Sequence, residues 1–321
     1  MVNERFVSTA PIGQMAIDIL SAKAPVEISP STSQESVISL MDGTLGLICR
    51  AETYIDGRIL DAGKHLKVLG RPGVGYDSVN VAAATERGIP LIYAPVGGFA
   101  VAEWAMAAML ALAKRVIACN EMVKSNKWSQ RYSIELDDMT EKTLGIVGFG
   151  RIGQHLAGLA LPFGMKVVAY DPFVDKTLAA AKNVELLDLE SLLKISDYVS
   201  LHPALNESSR GLITAKHMQV IKKGAMLINA SRGGVLENLE ILADALDKGI
   251  LSGVALDVFP EEPPSYPHRI FDHPMSLCAP HMAGLSKLAM FRIQKSMAND
   301  MLAVVEGNKP QYCVNPEVFN K

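Results

Sequence analysis

Three glycines set the first chemical possibility. In TLGIVGFGRIGQHLA, Gly148, Gly150 and Gly153 stand as G-x-G-x-x-G between an apolar run of strand character and a run of helical composition. At such a junction the first glycine makes a tight turn and the second lets the backbone approach a pyrophosphate. The third lets the helix pack on the strand, with the helix N-terminus facing the phosphates. The next apolar run, MKVVAY, leads into Asp171, where an acid reaches the adenosine ribose hydroxyls. Glycines alone signify no more than a turn; strand, glycines, helix and acid in this order predict dinucleotide binding. The Asp171 carboxylate repels a 2′-phosphate, and Pro172, Phe173 and Val174 supply no cation to hold one, so the pattern favours NAD over NADP. Redox chemistry does not follow from the motif, because S-adenosylmethionine methyltransferases also combine a glycine turn with an acid after the second strand. A second cluster, GRPGVG from Gly70 to Gly75, lacks the third glycine and the helix. It reads as a plain turn or as a bend whose amides hold a small anion such as a carboxylate, and spacing leaves both open.

The elements that must carry these residues alternate along the whole chain. RFVSTA, VEIS, LGLICR, LKVLG and IPLIY read as strands, with helical segments such as Gly13 to Ser21 and Val79 to Gly88 between them. A long helix is expected from Phe99 to Ala118, followed by a polar stretch from Ser125 to Lys142. A second alternation comes next, with LGIVG, MKVVAY, DYVSL, AMLINA and GVALDV as strands, and a last helix is expected from about Leu285 to Glu306. Strand and helix in alternation mean parallel sheets, and 321 residues predict two such domains. With 49% apolar and 20% charged residues, the chain reads as compact and globular rather than disordered. Lys and Arg number 31 against 34 Asp and Glu, so there is no basic excess to attract nucleic acid. The apolar run from Phe99 to Ala118 contains Glu103, Lys114 and Arg115, which suits a buried helix and not a membrane span. Cys49, Cys119, Cys278 and Cys313 have neither redox-pair nor zinc-site spacing and read as buried free thiols of a reducing compartment. No signal-peptide pattern opens the chain, and a cytoplasmic location is expected.

In order and spacing, the blocks LKVLGRPGVGYDSVN, APVGGFAVAEW, LGIVGFGRIGQ, VSLHPALNESSRGLI, INASRGGVLENLEILADAL, GVALDVFPEEPP and APHMAG resemble the D-2-hydroxyacid dehydrogenase family, of the phosphoglycerate dehydrogenase and hydroxypyruvate reductase kind. The resemblance implies an NAD-dependent hydride transfer at C2 of a small 2-hydroxy or 2-oxo acid. It implies a catalytic set of Arg232, Glu262 and His281, with Glu262 chosen over its neighbour Glu261 because the family places the acid immediately before Pro. An imidazole at His281 suits proton transfer near neutral pH, and a carboxylate beside it favours the imidazolium. Arg232 offers paired planar donors to a substrate carboxylate. Taken singly, Arg232 also reads as a helix-start residue, Glu261 and Glu262 as solvated loop acids, and His281 as a strand-end histidine. The cofactor set implied is Gly148, Gly150, Arg151, Ile152, Gly153, Asp171, His202, Ala230 and Asp257, with Asp257 near the nicotinamide amide. The amides at Val74 and Gly75 would then clasp the substrate carboxylate.

The same resemblance implies a Rossmann cofactor domain, residues 99–285, inserted in a flavodoxin-like substrate domain of residues 1–98 and 286–321, with the active site between them and a homodimer built partly on the helix from Phe99 to Ala118. No appended regulatory domain is expected after the last helix. Arg50 sits where phosphoglycerate-directed relatives carry a cation, or is a surface arginine; hydroxypyruvate or glyoxylate is the simpler substrate. Gly98 replaces the family's usual Asn and Glu237 its usual Asp. His268, Asp272 and His273 lie in a Pro-rich loop without short ligand spacing, so no metal site is expected. A rival reading is an NAD-sensing corepressor on the same fold, which needs a peptide-binding surface and disordered tails that the sequence does not show.

Overall fold

The apolar runs form twelve strands among residues 4–320, the part of the chain described by a computed structural model. The chain divides into two units, residues 1–97 with 286–321, and residues 98–285. In the first unit β1 (Arg5–Ser8), β2 (Val26–Ile28), β3 (Thr44–Ile48), β4 (Val68–Arg71) and β5 (Leu91–Tyr93) make a parallel sheet in the order β2-β1-β3-β4-β5. That is the flavodoxin-like order. Its central strand β3 reads TLGLI and is buried at every position, as expected of a parallel strand covered on both faces.

The second unit contains β6 (Thr143–Val147), β7 (Lys166–Tyr170), β8 (Glu185–Leu186), β9 (Tyr198–Leu201), β10 (Ala225–Asn229), β11 (Leu251–Leu256) and β12 (Ser276–Cys278). Their order is β12-β11-β10-β9-β6-β7-β8, all parallel. The reversal falls beside β6, and in a doubly wound sheet ligands bind at the carboxyl ends of the strands flanking that point. Gly148, Asp171, His202, Ala230 and Asp257 each lie just past the end of a strand. The edge strands β8 and β12 go beyond the sequence reading.

Two expectations need correction. The expected helix from Phe99 to Ala118 is broken: one helix spans Gly98–Ala113 and a second Val116–Lys124, with Arg115 between them at φ 49°. The left-handed turn redirects the chain where Lys114 and Arg115 interrupt the apolar run. The cysteines are free, but only Cys49 is buried; Cys119 and Cys313 are intermediate and Cys278 is exposed. Among the described residues no helix is long and apolar enough to cross a membrane. Trp104 packs against the core that the first of these helices shares with β6 and the helix Arg151–Ala160.

Candidate active site

The glycine loop is built by close approach. Gly148 has φ +92°, and a Cβ there would lie 2.6 Å from the Pro203 nitrogen and 2.7 Å from the His202 carbonyl carbon. A Cβ on Gly153 would lie 2.4 Å from the Gly148 oxygen. Both positions therefore need glycine, whereas the space outside Gly150 is open within 4 Å. The helix Arg151–Ala160 starts at once, so its first amides and positive dipole end face that open side. Arg151 is exposed, while Ile152 packs toward the core. Asp171 does more than the sequence suggests: Oδ2 accepts from Phe149 N at 2.8 Å and Oδ1 from Phe173 N at 2.9 Å. The acid thus ties the glycine loop to the end of β7. These features fit a dinucleotide, with a close, open backbone for a pyrophosphate and a fixed carboxylate for ribose hydroxyls.

His202 leaves β9 buried, its N–H donating to Val147 O at 2.7 Å and its Nε2 lying 2.8 Å from Ser200 Oγ. Its Nδ1 has no hydrogen-bond partner. Burial pushes its pKa down to about 4, so the ring is neutral at physiological pH. Ala230 is also buried, directly after β10.

Beyond the ends of β10, β11 and β12 the structure brings Arg232, Glu262 and His281 into one unit. Arg232 has an extended backbone and donates from Nη1 to Ser231 O at 2.8 Å. Gly233 follows, and a Cβ there would lie 1.8 Å from the Phe259 carbonyl carbon, so the Arg232 turn rests directly on the chain leading to Glu262. Glu262 is held twice: Oε1 accepts from Phe259 N at 3.0 Å, and Oε2 lies 2.7 Å from His281 Nδ1. Burial works to raise the Glu262 carboxyl, but the hydrogen bonds from His281 and Phe259 and the charges of His281 and Arg232 outweigh it and hold it below the usual range. Glu261 turns away to Ser265 Oγ at 3.1 Å. With Nδ1 engaged, His281 has Nε2 left for a reacting group, on a side chain 48% exposed.

His281 has φ 54°, and its loop is strapped by Asp257. The Asp257 carbonyl accepts His281 N at 2.8 Å, and its carboxylate accepts Met282 N at 2.7 Å and Ala283 N at 2.9 Å. Burial pushes the Asp257 carboxyl up against the opposing pull of these amides. Sequence reasoning missed this strap, and it missed Asn229 and Ser231, whose signal is a pair of polar residues immediately flanking Ala230 where an apolar strand ends.

In the other unit Gly73 has φ +151°, and its carbonyl accepts Ala94 N at 2.9 Å, while Val74 is 48% exposed. Arg50 follows β3; its Nη2 is 3.9 Å from Glu52, and its buried Nε has no hydrogen-bond partner. Arg71 ends the adjacent strand β4, a second cation that the sequence reading did not single out. Gly98 faces Ile152, and Glu237 accepts from Ala215 N at 3.0 Å. His268 and His273 use Nδ1 to accept Ile270 N and Met275 N, and no group of three or more metal-ligating side chains occurs among the described residues.

Comparison with known proteins names the class to which this arrangement belongs. Residues 106–283 match the D-isomer specific 2-hydroxyacid dehydrogenase NAD binding domain, more than half of the chain. The chain belongs to the D-isomer specific 2-hydroxyacid dehydrogenase family, and its cofactor is a nicotinamide dinucleotide. It is 34% identical over 316 residues to D-3-phosphoglycerate dehydrogenase of Synechocystis sp., covering 97% of this chain and 56% of that protein. It is 33% identical over 307 residues to D-3-phosphoglycerate dehydrogenase of Archaeoglobus fulgidus, covering 95% and 58%. The chain thus spans little more than half the length of these relatives. The TT0316 protein from Thermus thermophilus superposes with a TM-score of 0.89 at 32% identity, covering 97% of this chain and 99% of that one.

Proposed function

We propose that this protein catalyses NAD-dependent interconversion of a small D-2-hydroxy acid and its 2-oxo acid. The observation that carries the reading is the 2.7 Å pairing of His281 Nδ1 with Glu262, which leaves Nε2 open on the same unit as Arg232 and the glycine loop. When bound, the nicotinamide supplies or accepts the hydride at C2. His281 in its imidazolium form donates a proton from Nε2 to the C2 oxygen during reduction, and the neutral ring takes it back during oxidation. Glu262 holds the ring by Nδ1 and so aims Nε2 at the reacting oxygen. Arg232 pairs with the substrate carboxylate and draws electron density from the carbonyl. Gly148, Gly150, Arg151, Ile152 and Gly153 bind the pyrophosphate side of the cofactor, and Asp171 its ribose hydroxyls, which favours NAD over NADP. His202, Ala230 and Asp257 complete the cofactor set.

We assign the unit of residues 98–285 to the cofactor and the unit of residues 1–97 with 286–321 to the substrate, through the Val74 and Gly75 amides. Arg50 and Arg71, at the carboxyl ends of adjacent strands, supply cations for a second anionic group. The curated relatives named above act on a phosphorylated hydroxy acid by their names, and these arginines support that class over hydroxypyruvate or glyoxylate. The free cysteines suit a cytoplasmic protein, and exposed apolar residues between Val116 and Leu136 suit a homodimer. Initial rates with glyoxylate, hydroxypyruvate and phosphohydroxypyruvate, each with NADH and NADPH, test the reading. The expected best pair is phosphohydroxypyruvate with NADH, and no turnover of any of the three would remove the enzymatic assignment.

A further inference from the structure

We propose that Asn229 is the positioning residue for Arg232, and that recognition of the substrate carboxylate depends on the Asn229 side-chain amide. The inference rests on the reading of Arg232 as the carboxylate-binding group. Asn229 is the last residue of β10 and is completely buried. Its Oδ1 accepts from Ser231 N at 3.1 Å and from Ser231 Oγ at 2.8 Å, and its Nδ2 donates to Arg232 O at 3.1 Å. Chemistry fixes the orientation of this amide. The Ser231 N–H only donates and the Arg232 carbonyl only accepts, so the oxygen must face the first and the nitrogen the second. Neither a carboxylate nor an apolar isostere serves both.

The amide therefore pins the Ser231–Arg232 dipeptide at its two ends. The carbonyl between those ends, Ser231 O, is the group that accepts Arg232 Nη1 at 2.8 Å. A backbone held by Asn229 thus becomes the anchor of the guanidinium itself. Paired guanidinium donors select a carboxylate only when their plane is held, so an error in this turn is felt at the substrate. The main chain of Asn229 makes a further link, because its carbonyl accepts Asp257 N at 2.9 Å. Asp257 in turn straps the His281 loop. One residue therefore refers both Arg232 and His281 to the same strand end.

Asn229→Asp keeps shape and acceptor but sets a carboxylate oxygen against the Arg232 carbonyl. KM and kcat for the best 2-oxo acid and the Kd for NADH are measured for this variant, for Arg232→Ala and for the double variant. If the Asp variant does not fold, Asn229→Ser, which brings no charge into the interior, is read in the same way. The expected result is a KM raised about tenfold, equivalent to the loss of one good hydrogen bond, with NADH affinity changed less than about twofold. On the Arg232→Ala background the same change should cost less than about a further twofold in kcat/KM, since it acts through the missing guanidinium. Wild-type kinetics for Asn229→Asp, or an equal loss on both backgrounds, would overturn the proposal and leave Asn229 a residue of general stability. An Arg232→Ala variant as active as the wild type would instead overturn the reading of Arg232, and this inference with it.

Discussion

His281 and Glu262 make a pair in which the acid is engaged at both oxygens and the imidazole keeps one nitrogen free. Glu262 spends Oε1 on Phe259 N and Oε2 on the imidazole, so its charge is fixed beside Nδ1 while Nε2 stays available. His281→Asn should leave NADH affinity nearly unchanged and lower the turnover of 2-oxo acid reduction by roughly a hundredfold or more, the scale of general acid catalysis. Glu262→Gln removes the anion that holds Nδ1, so it should lower the same turnover, by less than His281→Asn does, with NADH affinity nearly unchanged. Turnover of both single variants and the double variant decides the coupling: additive losses would show that Glu262 acts independently of the imidazole. Asp171 gives a second prediction at this scale. Its carboxylate faces any 2′-phosphate as a like charge, so NADH should exceed NADPH by at least about a hundredfold in kcat/KM. Because the same carboxylate holds Phe149 N and Phe173 N, Asp171→Ser should narrow that gap mainly by weakening NADH. Equal efficiency of the two cofactors in the wild type would count against the assignment.

The elements matter because none of the proposed reacting groups positions itself. Arg232 and Glu262 are far apart in sequence, and they meet because the Gly233 turn lies on the Phe259–Pro260 backbone with no room for a methyl group. Gly233→Ala must push those two segments apart, which should destabilise the unit by about 1–3 kcal/mol, as overpacking does. The same variant should lower kcat/KM for the oxo acid more than it weakens NADH, measured by steady-state kinetics beside urea unfolding. This contact was not legible in the sequence, since a glycine in NASRGG looks the same whether a turn or a backbone crossing demands it. The dinucleotide loop was legible, because strand, glycines, helix and Asp171 lie in one continuous stretch with a fixed period. The strap from Asp257 to Met282 and Ala283 was not, because it joins the end of β11 to the loop after its neighbour β12, 25 residues on in sequence. Helix breaks fall between these cases: Lys114 and Arg115 were visible as charges in an apolar run, but the left-handed turn at Arg115 was not visible as a consequence.

At the scale of the whole molecule, burial sets the response to acid, and exposed apolar surface carries the proposed dimer contact. His202 titrates near 6.5 when unfolded and near 4 when folded, because burial disfavours its charged form. Above 6.5 both states are neutral and His202 adds no pH dependence. Between 6.5 and 4 the unfolded chain takes up a proton that the folded chain refuses, so stability falls with pH, by up to about 3 kcal/mol. Urea unfolding at pH 7.5 and pH 5 should show a smaller loss for His202→Gln than for the wild type; equal losses would mean that the folded ring is charged. The proposed dimer contact rests on a different stretch. Much of the helix Gly98–Ala113 is turned into its own core, whereas Val116, Ile117, Val123, Trp128, Tyr132 and Leu136 are all exposed. These six side chains offer apolar area that a two-fold contact would bury on both copies. A stable contact of this kind needs about 800 Å² from each copy, with aromatic side chains near its centre. Trp128 and Tyr132, with the Arg131 guanidinium 4.4 Å from the Tyr132 ring centre, are the aromatic anchors available. Light scattering at micromolar concentration should therefore give twice the mass of the 34.6 kDa chain. Trp128→Ser with Tyr132→Ser should shift that mass toward the monomer while leaving the fold of each chain intact, as read by circular dichroism. A wild-type monomer at that concentration, or a double variant that dimerises as tightly as the wild type, would place the contact elsewhere.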